Sequence, residues 1–123
     1  MAKRNGTKGV DILRGTPSAD TIKGFAGSDF LFGLAGKDTI YGGTGNDRAY
    51  GGSGNDTVRG DAGNDILKGD DGNNKVYGGL GNDNARGGGG DDRVQGDSGN
   101  DTIFGDGGRD VLIGGTGSDK LYG

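Results

Sequence analysis

The sequence predicts an all-β solenoid in which two short repeat units complete each circuit of a flattened coil. Thirteen consecutive nine-residue units begin at Gly6 and continue without an insertion or a deletion, and Gly123 would open a fourteenth unit. A period held this strictly is the signature of one structural unit stacked on itself. We therefore expect a short leader at residues 1–5 and a single repeat domain at residues 6–123.

Each unit divides into a turn segment and a strand segment. In the fifth unit, the first six residues, Gly42 to Asp47, are turn formers, because glycine, asparagine and aspartate tolerate the left-handed backbone of tight loops. The last three residues, Arg48 to Tyr50, have the alternation of a strand that is buried on one face.

The residue at position eight supplies the inward side chain, and it is never polar. These residues are Leu13, Ile22, Leu31, Ile40, Ala49, Val58, Leu67, Val76, Ala85, Val94, Ile103, Leu112 and Leu121. A three-residue strand followed by a six-residue turn cannot form a hairpin meander in this register, but it can form a coil whose parallel strands recur every 18 residues. We expect seven such strands in one sheet and six in the other.

Composition excludes several function classes. The chain has no cysteine and no histidine, so disulfides, thiolate metal sites and serine or cysteine triads are excluded, and no enzymatic activity is expected. No apolar run approaches 18 residues, and the basic start leads into no apolar stretch, so neither a membrane span nor a signal peptide is expected. The glycine runs contain no phosphate-binding motif, and no nucleic-acid partner is expected.

Aspartate occupies position six in twelve of the thirteen units, and Asn74 is the exception. Stacking the units gathers these residues into two columns. The first column holds Asp11, Asp29, Asp47, Asp65, Asp83, Asp101 and Asp119, and the second holds Asp20, Asp38, Asp56, Asn74, Asp92 and Asp110. Carboxylate and carbonyl oxygens in flexible loops suit Ca²⁺ better than Mg²⁺, and no soft ligand is present for zinc or copper.

The units resemble the RTX, or haemolysin-type, calcium-binding nonapeptide repeat, G-G-x-G-x-D-x-U-x. Residues 51–59 match that pattern at every specified position, and the resemblance extends over residues 6–123. It implies a right-handed parallel β-roll with two repeats per turn, as in secreted bacterial toxins, proteases, lipases and epimerases. It also implies a module of an extracellular protein that leaves the cell by type I secretion and folds outside on Ca²⁺.

By this resemblance, each ion takes the position-six aspartates of two stacked loops together with carbonyls from early positions of the loops. The twelve aspartates of the two columns are the carboxylate ligands. The backbone ligands are expected at Gly42, Gly43, Thr44, Gly45, Gly51, Gly52, Ser53, Gly54, Gly60, Gly63, Gly78, Gly81, Gly87, Gly90, Gly96, Gly99, Gly105, Gly108, Gly114 and Gly117. The stacking gives at most eleven sites, of which we expect about seven to nine to fill.

Calcium is expected to be needed for folding. The inward side chains are small or medium-sized, and 33 of the 123 residues are glycine, the residue that loses most freedom on folding. Burial of this core does not by itself offset the cost of ordering the backbone. We therefore expect the metal-free chain to be largely disordered.

Some loops depart from the pattern. Thr7, Thr16, Phe25 and Leu34 stand second in their units, where side chains resist a positive φ, so weak early sites are expected. Asn74 removes one charge from its column. Aspartate in second place is expected to be tolerated, and it occurs at Asp61, Asp70, Asp97 and Asp106.

Other readings stay open. One is a calcium-dependent binding module for an anionic polysaccharide or a cell surface, since eleven calcium ions would change the formal charge from −4 to +18. Another is a designed structural scaffold, and a metal-free repeat would also show aspartate and asparagine in its turns. A threonine ladder at Thr21, Thr39 and Thr57 has the spacing of ice-binding faces.

Two surface features complete these expectations. Aromatic side chains at position nine form either a glycan-binding stripe or cross-strand pairs. They are Phe32, Tyr41, Tyr50, Tyr77, Phe104 and Tyr122. Bare solenoid ends expose strand edges, so end-to-end self-association is expected.

Overall fold

The computed structural model describes residues 1–123 and confirms an all-β parallel solenoid. Odd-numbered strands form one seven-stranded sheet, the odd sheet, and even-numbered strands form another, the even sheet. The strands are β1 (Lys3–Asn5), β2 (Ile12–Arg14), β3 (Thr21–Ala26), β4 (Phe30–Ala35), β5 (Thr39–Thr44), β6 (Arg48–Ser53), β7 (Thr57–Ala62), β8 (Ile66–Asp71), β9 (Lys75–Leu80), β10 (Asn84–Gly89), β11 (Arg93–Ser98), β12 (Thr102–Asp106), β13 (Val111–Thr116) and β14 (Lys120–Tyr122). The chain has no helix long and apolar enough to cross a membrane.

The register of both sheets repeats every 18 residues. In the odd sheet Thr39 pairs with Thr57, and in the even sheet Phe32 pairs with Tyr50. Two nine-residue units therefore complete each circuit, and equivalent positions stack in columns along the solenoid axis. The predicted coil geometry is confirmed.

The strands are longer than expected. Most have six residues rather than three, because pairing continues past the position-one glycine to position three of the next unit. Gly43, for example, pairs with Asp61, and Thr44 pairs with Ala62. Only positions four to six form the turn. The glycine-rich segments were predicted to be turns because glycine, asparagine and aspartate favour turns. Parallel strand pairing, however, uses only backbone N–H and C=O groups, and glycine has these as well.

Residues 1–5 add a strand that the nine-residue pattern does not predict. Lys3–Asn5 pairs with the start of β3, which gives the odd sheet seven strands rather than six. The N–H of Ala2 donates a hydrogen bond to Oδ1 of Asp20 at 2.7 Å. The leader thus lies in register with the repeats, at the first circuit of the coil.

The core is a column of position-eight side chains between the two sheets. Ten of the thirteen expected core residues have no exposed surface: Ile22, Leu31, Ile40, Ala49, Val58, Leu67, Val76, Ala85, Val94 and Ile103. Leu13 and Leu112 are only partly buried, and Leu121 is 44% exposed. Position eight therefore supplies the core as predicted, and its side chains are more exposed at the first and last circuits, where Leu13 and Leu112 still pack against the buried column.

Position two adopts the left-handed region in every unit from the third onward. Glycine occupies it without strain, but Phe25 and Leu34 also have φ values of 76° and 81°, so the expectation that they avoid this backbone is wrong. Asp61 and Asp70 adopt it as expected, with φ values of 74° and 70°. Tertiary pairing overrides the local preference, because their neighbours in the sheet impose the same bend.

The outward aromatic side chains pair across parallel strands. In the even sheet the rings of Phe32 and Tyr50 stack with centroids 5.2 Å apart, and Arg14 and Lys68 cover the two outer faces at 5.1 and 5.6 Å. Because the ring faces are covered by neighbours, the cross-strand reading is favoured over a glycan-stacking stripe.

The tight stacking predicts a steep contrast between two glycine substitutions. A Cβ at Gly42 would stand 2.6 Å from Oδ2 of Asp47 and 2.6 Å from the carbonyl of Gly60, whereas a Cβ at Gly89 would meet nothing nearer than 3.9 Å. We expect Gly42→Ala to destabilise the folded protein by about 1–3 kcal/mol and Gly89→Ala to leave its stability unchanged. Thermal unfolding measures both, and equal melting temperatures would contradict the observed packing.

Candidate metal centre

The two aspartate columns lie at the turns where the chain passes between the sheets. Nine of the twelve predicted carboxylate ligands are buried, with 1–3% of their surface exposed, and Asn74 is buried as well. The nine are Asp20, Asp29, Asp38, Asp47, Asp56, Asp65, Asp83, Asp92 and Asp101. The other three, Asp11, Asp110 and Asp119, lie at the ends of the columns and are partly buried. The structure therefore brings the predicted side chains together in two lines.

One oxygen of each carboxylate has a backbone partner. The N–H of Asp29 donates to Oδ1 of Asp47 at 2.8 Å, and the N–H of Asp47 donates to Oδ1 of Asp65 at 2.8 Å. The same bond links successive circuits along both columns. It fixes the orientation of each side chain and leaves the second oxygen inside its own loop.

The second oxygen has no partner in eight loops. These atoms are Oδ2 of Asp29, Asp38, Asp47, Asp56, Asp65, Asp83, Asp92 and Asp101, each buried and without a hydrogen bond. The one ion pair of the structure joins Arg86 and Asp106 at the surface, so no basic side chain neutralises them. A buried charged acceptor without a donor is costly, which makes these oxygens candidates for a bound cation.

The position-one glycine makes room for this oxygen. A Cβ at Gly51 would meet Oδ2 of Asp56 at 2.5 Å, and a Cβ at Gly78 would meet Oδ2 of Asp83 at the same distance. Glycine at position one is therefore required by space, whereas at positions two and four it suits a left-handed φ, as at Gly43 and Gly45.

Carbonyl oxygens differ in their availability. The carbonyl of Ser53 at position three accepts a hydrogen bond from the N–H of Gly36 at 3.0 Å, so this predicted ligand belongs to the sheet ladder. No backbone N–H donates to a carbonyl at position four, such as that of Gly45 or Gly54. Position four therefore supplies acceptors that are free to bind a cation.

The loop of Asn74 shows how these groups lie. Its amide nitrogen takes the place of the second carboxylate oxygen, since it stands 2.6 Å from the Cβ position of Gly69. From there Nδ2 donates to the carbonyl of Gly72 at 3.2 Å and to that of Asp70 at 3.4 Å. The position-four and position-two carbonyls of one loop thus converge on the tip of the position-six side chain.

This arrangement fits calcium. No three acidic side chains cluster closely enough to hold a metal ion by themselves, so carbonyl oxygens or water would have to complete any coordination shell. Calcium accepts six to eight oxygens from carboxylates and carbonyls in flexible geometry. The loops supply that donor set, and they contain no nitrogen or sulfur ligand for a softer metal.

Burial raises the pKa of the column carboxyls, because removal from water disfavours their charged form. It raises the pKa from 3.8 to about 7 for Asp65 and Asp83. It raises the pKa to about 6 for Asp38, Asp47 and Asp92. The backbone N–H bond to Oδ1 partly offsets this effect, and the charge of neighbouring aspartates adds to it.

The first two loops are different. The N–H of Thr16 donates to Oδ2 of Asp20. Its hydroxyl, which has one proton, lies 2.9 Å from the same oxygen and 3.4 Å from the position-four carbonyl of Ser18. The Thr16 N–H lowers the pKa of Asp20. In the first loop, Thr7 donates to Asp11 in the same way, from its N–H at 2.6 Å. Here threonine supplies the donors that the other loops lack.

Asparagine ladders at position five were not expected from the sequence. The N–H of Asn64 donates to Oδ1 of Asn46 at 2.9 Å, and the N–H of Asn82 donates to Oδ1 of Asn64 at 2.8 Å. The second loop column has the same ladder, from Asn55 to Asn73. The sequence signal for this ladder is asparagine at position five, which occurs in six units.

The fold and the loops define a class, the cation-binding parallel solenoids made of nonapeptide repeats. The family model of the RTX calcium-binding nonapeptide repeat (4 copies) matches the chain at residues 5–40, 24–58, 32–67, 50–85 and 86–121. These matches cover most of the sequence, and the chain belongs to this family. No curated protein sequence matches it.

The raised pKa values predict opposite responses to acid with and without calcium. In the metal-stripped chain, the folded-state pKa of Asp65 and Asp83 lies near 7, above the unfolded value of 3.8, so their contribution favours folding at low pH and is lost as pH rises through about 7. We expect more β signal in far-UV circular dichroism at pH 5 than at pH 8.

With calcium the order reverses, because binding requires the ionised carboxylates. The calcium concentration at the folding midpoint is expected to rise as pH falls from 8 to 6. Two results would contradict the burial of the aspartate columns. One is a metal-stripped chain that is less ordered at pH 5 than at pH 8, and the other is a calcium midpoint of folding that does not change with pH.

Proposed function

We propose that this chain is a calcium-triggered folding module, disordered without the metal and ordered as a β-roll when its stacked loops bind Ca²⁺. One observation carries this function: eight buried carboxylate oxygens have no hydrogen-bond donor. Leaving a buried acceptor unsatisfied costs about 1–3 kcal/mol, and more for a charged group. Eight such groups together cost as much as the whole net stability of a folded domain, which is about 5–15 kcal/mol.

Bound calcium supplies the positive charge that these oxygens lack. The chain itself contributes Oδ2 of each aspartate and the free carbonyl of position four, held in register by the Oδ1 bonds and the asparagine ladders. Sites repeat along both columns, and each aspartate is linked to the next circuit through backbone. Binding at one loop therefore orders its neighbours, and folding is expected to be cooperative.

The family also supports a setting for this function. RTX repeats are typical of secreted proteins, and the module suits an extracellular protein that leaves the cell unfolded by type I secretion. Extracellular calcium modules bind with dissociation constants of about 10⁻⁴–10⁻³ M, well above cytosolic calcium levels. The proposed function gives the column carboxyls no catalytic role, because it assigns them to metal binding.

A calcium titration of the metal-stripped chain tests this function. We expect far-UV circular dichroism to change from a disordered to a β spectrum, with a midpoint at about 10⁻⁴–10⁻³ M calcium and no change with magnesium at the same concentration. Calorimetry is expected to count about eight ions, one for each unpartnered oxygen. A β spectrum that persists without metal at pH 8 would refute the proposal.

A pair of alanine variants places the binding in the columns. Asp47 is buried with an unpartnered Oδ2, whereas the side chain of Asp71, at position three, is exposed. Both substitutions remove one negative charge. We expect Asp47→Ala to raise the calcium midpoint several-fold and Asp71→Ala to match the parent chain. Equal midpoints would show that overall charge, rather than the column, attracts the ion.

A further inference from the structure

Three loops differ from the rest in having a donor where the others have only acceptors. In the loop of Asn74, the amide nitrogen bonds the carbonyls of Gly72 and Asp70 at 3.2 and 3.4 Å. At the same time Oδ1 of Asn74 accepts the N–H of Asp56 at 2.8 Å, as an aspartate would. Asn74 therefore keeps the hydrogen bond between successive circuits. Its own N–H groups bind the loop carbonyls that a cation would otherwise bind.

The position-four carbonyl makes this difference clear. Within the loops only two of these carbonyls have a donor within hydrogen-bond distance: that of Gly72 has Nδ2 of Asn74 at 3.2 Å, and that of Ser18 has the hydroxyl of Thr16 at 3.4 Å. The one hydroxyl proton of Thr16 has its nearer acceptor in Oδ2 of Asp20, at 2.9 Å, and the same oxygen accepts the Thr16 N–H. Neither loop contains an unpartnered buried oxygen.

The first loop follows the same rule. The hydroxyl of Thr7 lies 3.2 and 3.1 Å from the two oxygens of Asp11, which share its one proton, and the N–H of Thr7 donates to Oδ2. Thr7 and Thr16 also lack the left-handed backbone found at position two in all later units. Their loops bend differently because their side chains and amides turn inward to the aspartate.

We propose that the loops of Thr7, Thr16 and Asn74 are closed by their own side chains and bind no calcium. This inference rests on the proposed function and assigns it to particular loops. The first column then binds without interruption from Asp29 to Asp101. The second column is divided by Asn74 into a segment at Asp38 and Asp56 and a segment beginning at Asp92.

Asn74→Asp tests the assignment by restoring an unpartnered carboxylate in the eighth loop. We expect the variant to bind one more calcium ion than the parent chain, counted by native mass spectrometry at saturating calcium. Asn73→Asp is the matched control, since it adds the same charge in the same loop at the exposed position-five ladder and keeps the Oδ1 acceptor for the N–H of Asp91. It is expected to leave the count unchanged.

The reverse exchange provides a second test that does not depend on the first variant. Asp83→Asn places an amide where Oδ2 is now unpartnered. We expect one ion fewer, together with more β signal in the metal-stripped chain, because the amide satisfies the loop carbonyls without metal. Asp91→Asn removes the same charge at position five, where the side chain accepts the N–H of Arg109, and is expected to change neither measurement.

The outcomes separate the two proposals. If the parent chain binds no calcium, the proposed function fails. If it binds calcium but Asn74→Asp keeps the parental count, or Asp83→Asn loses no ion, the assignment of metal-free loops fails while the function stands. If Asn73→Asp also gains one ion, the added negative charge alone would explain the extra ion in Asn74→Asp. That result would also overturn the assignment.

Discussion

The structure depends on how the second oxygen of each buried aspartate is satisfied. Its first oxygen accepts a hydrogen bond from a backbone N–H of the preceding circuit, as Oδ1 of Asp47 does from Asp29. The carboxylate therefore cannot turn toward water. The remaining oxygen faces carbonyl groups that are themselves acceptors. A site made only of acceptors is stable when a cation or a donor enters it. The raised pKa values, the exceptional loops and the calcium coupling that we propose all follow from this constraint.

Stacking explains why the solution is repeated so strictly. Each circuit supplies the N–H partner for the next, and each position-one glycine leaves the space that the carboxylate fills, as Gly51 does beside Asp56. An insertion in one unit would shift every column above it. The outer surface is less constrained, and there neighbouring strands form local pairs such as Phe104 with Tyr122 and Arg86 over Phe104. The inner columns therefore set the period, while the outer columns vary.

Much of the fold was predictable because its period is visible in the residues. The alternation around Ala49 identified the inward face, and the 18-residue register followed from turns and strands too short for hairpins. The strand ends were not predictable, since backbone pairing extends through glycine, and neither was the strand at Lys3–Asn5, which lacks a repeat motif. At the candidate site, the burial of Asp65 follows from the nine-residue pattern. Whether its second oxygen has a hydrogen-bond donor depends on the directions of the neighbouring backbone groups, which the pattern does not give.

By itself, the sequence determined the repeat length, the column of aliphatic side chains and the two lines of aspartate, because each is a matter of residue type at a fixed spacing. Tertiary structure decided which oxygens have donors. Asn74 and Thr16 read as defects in a calcium motif, yet in three dimensions their N–H and O–H groups reach the same carbonyls or carboxylate that the other loops leave unpaired. Hydrogen-bond satisfaction is a property of distances and directions, and these exist only once the circuits are stacked.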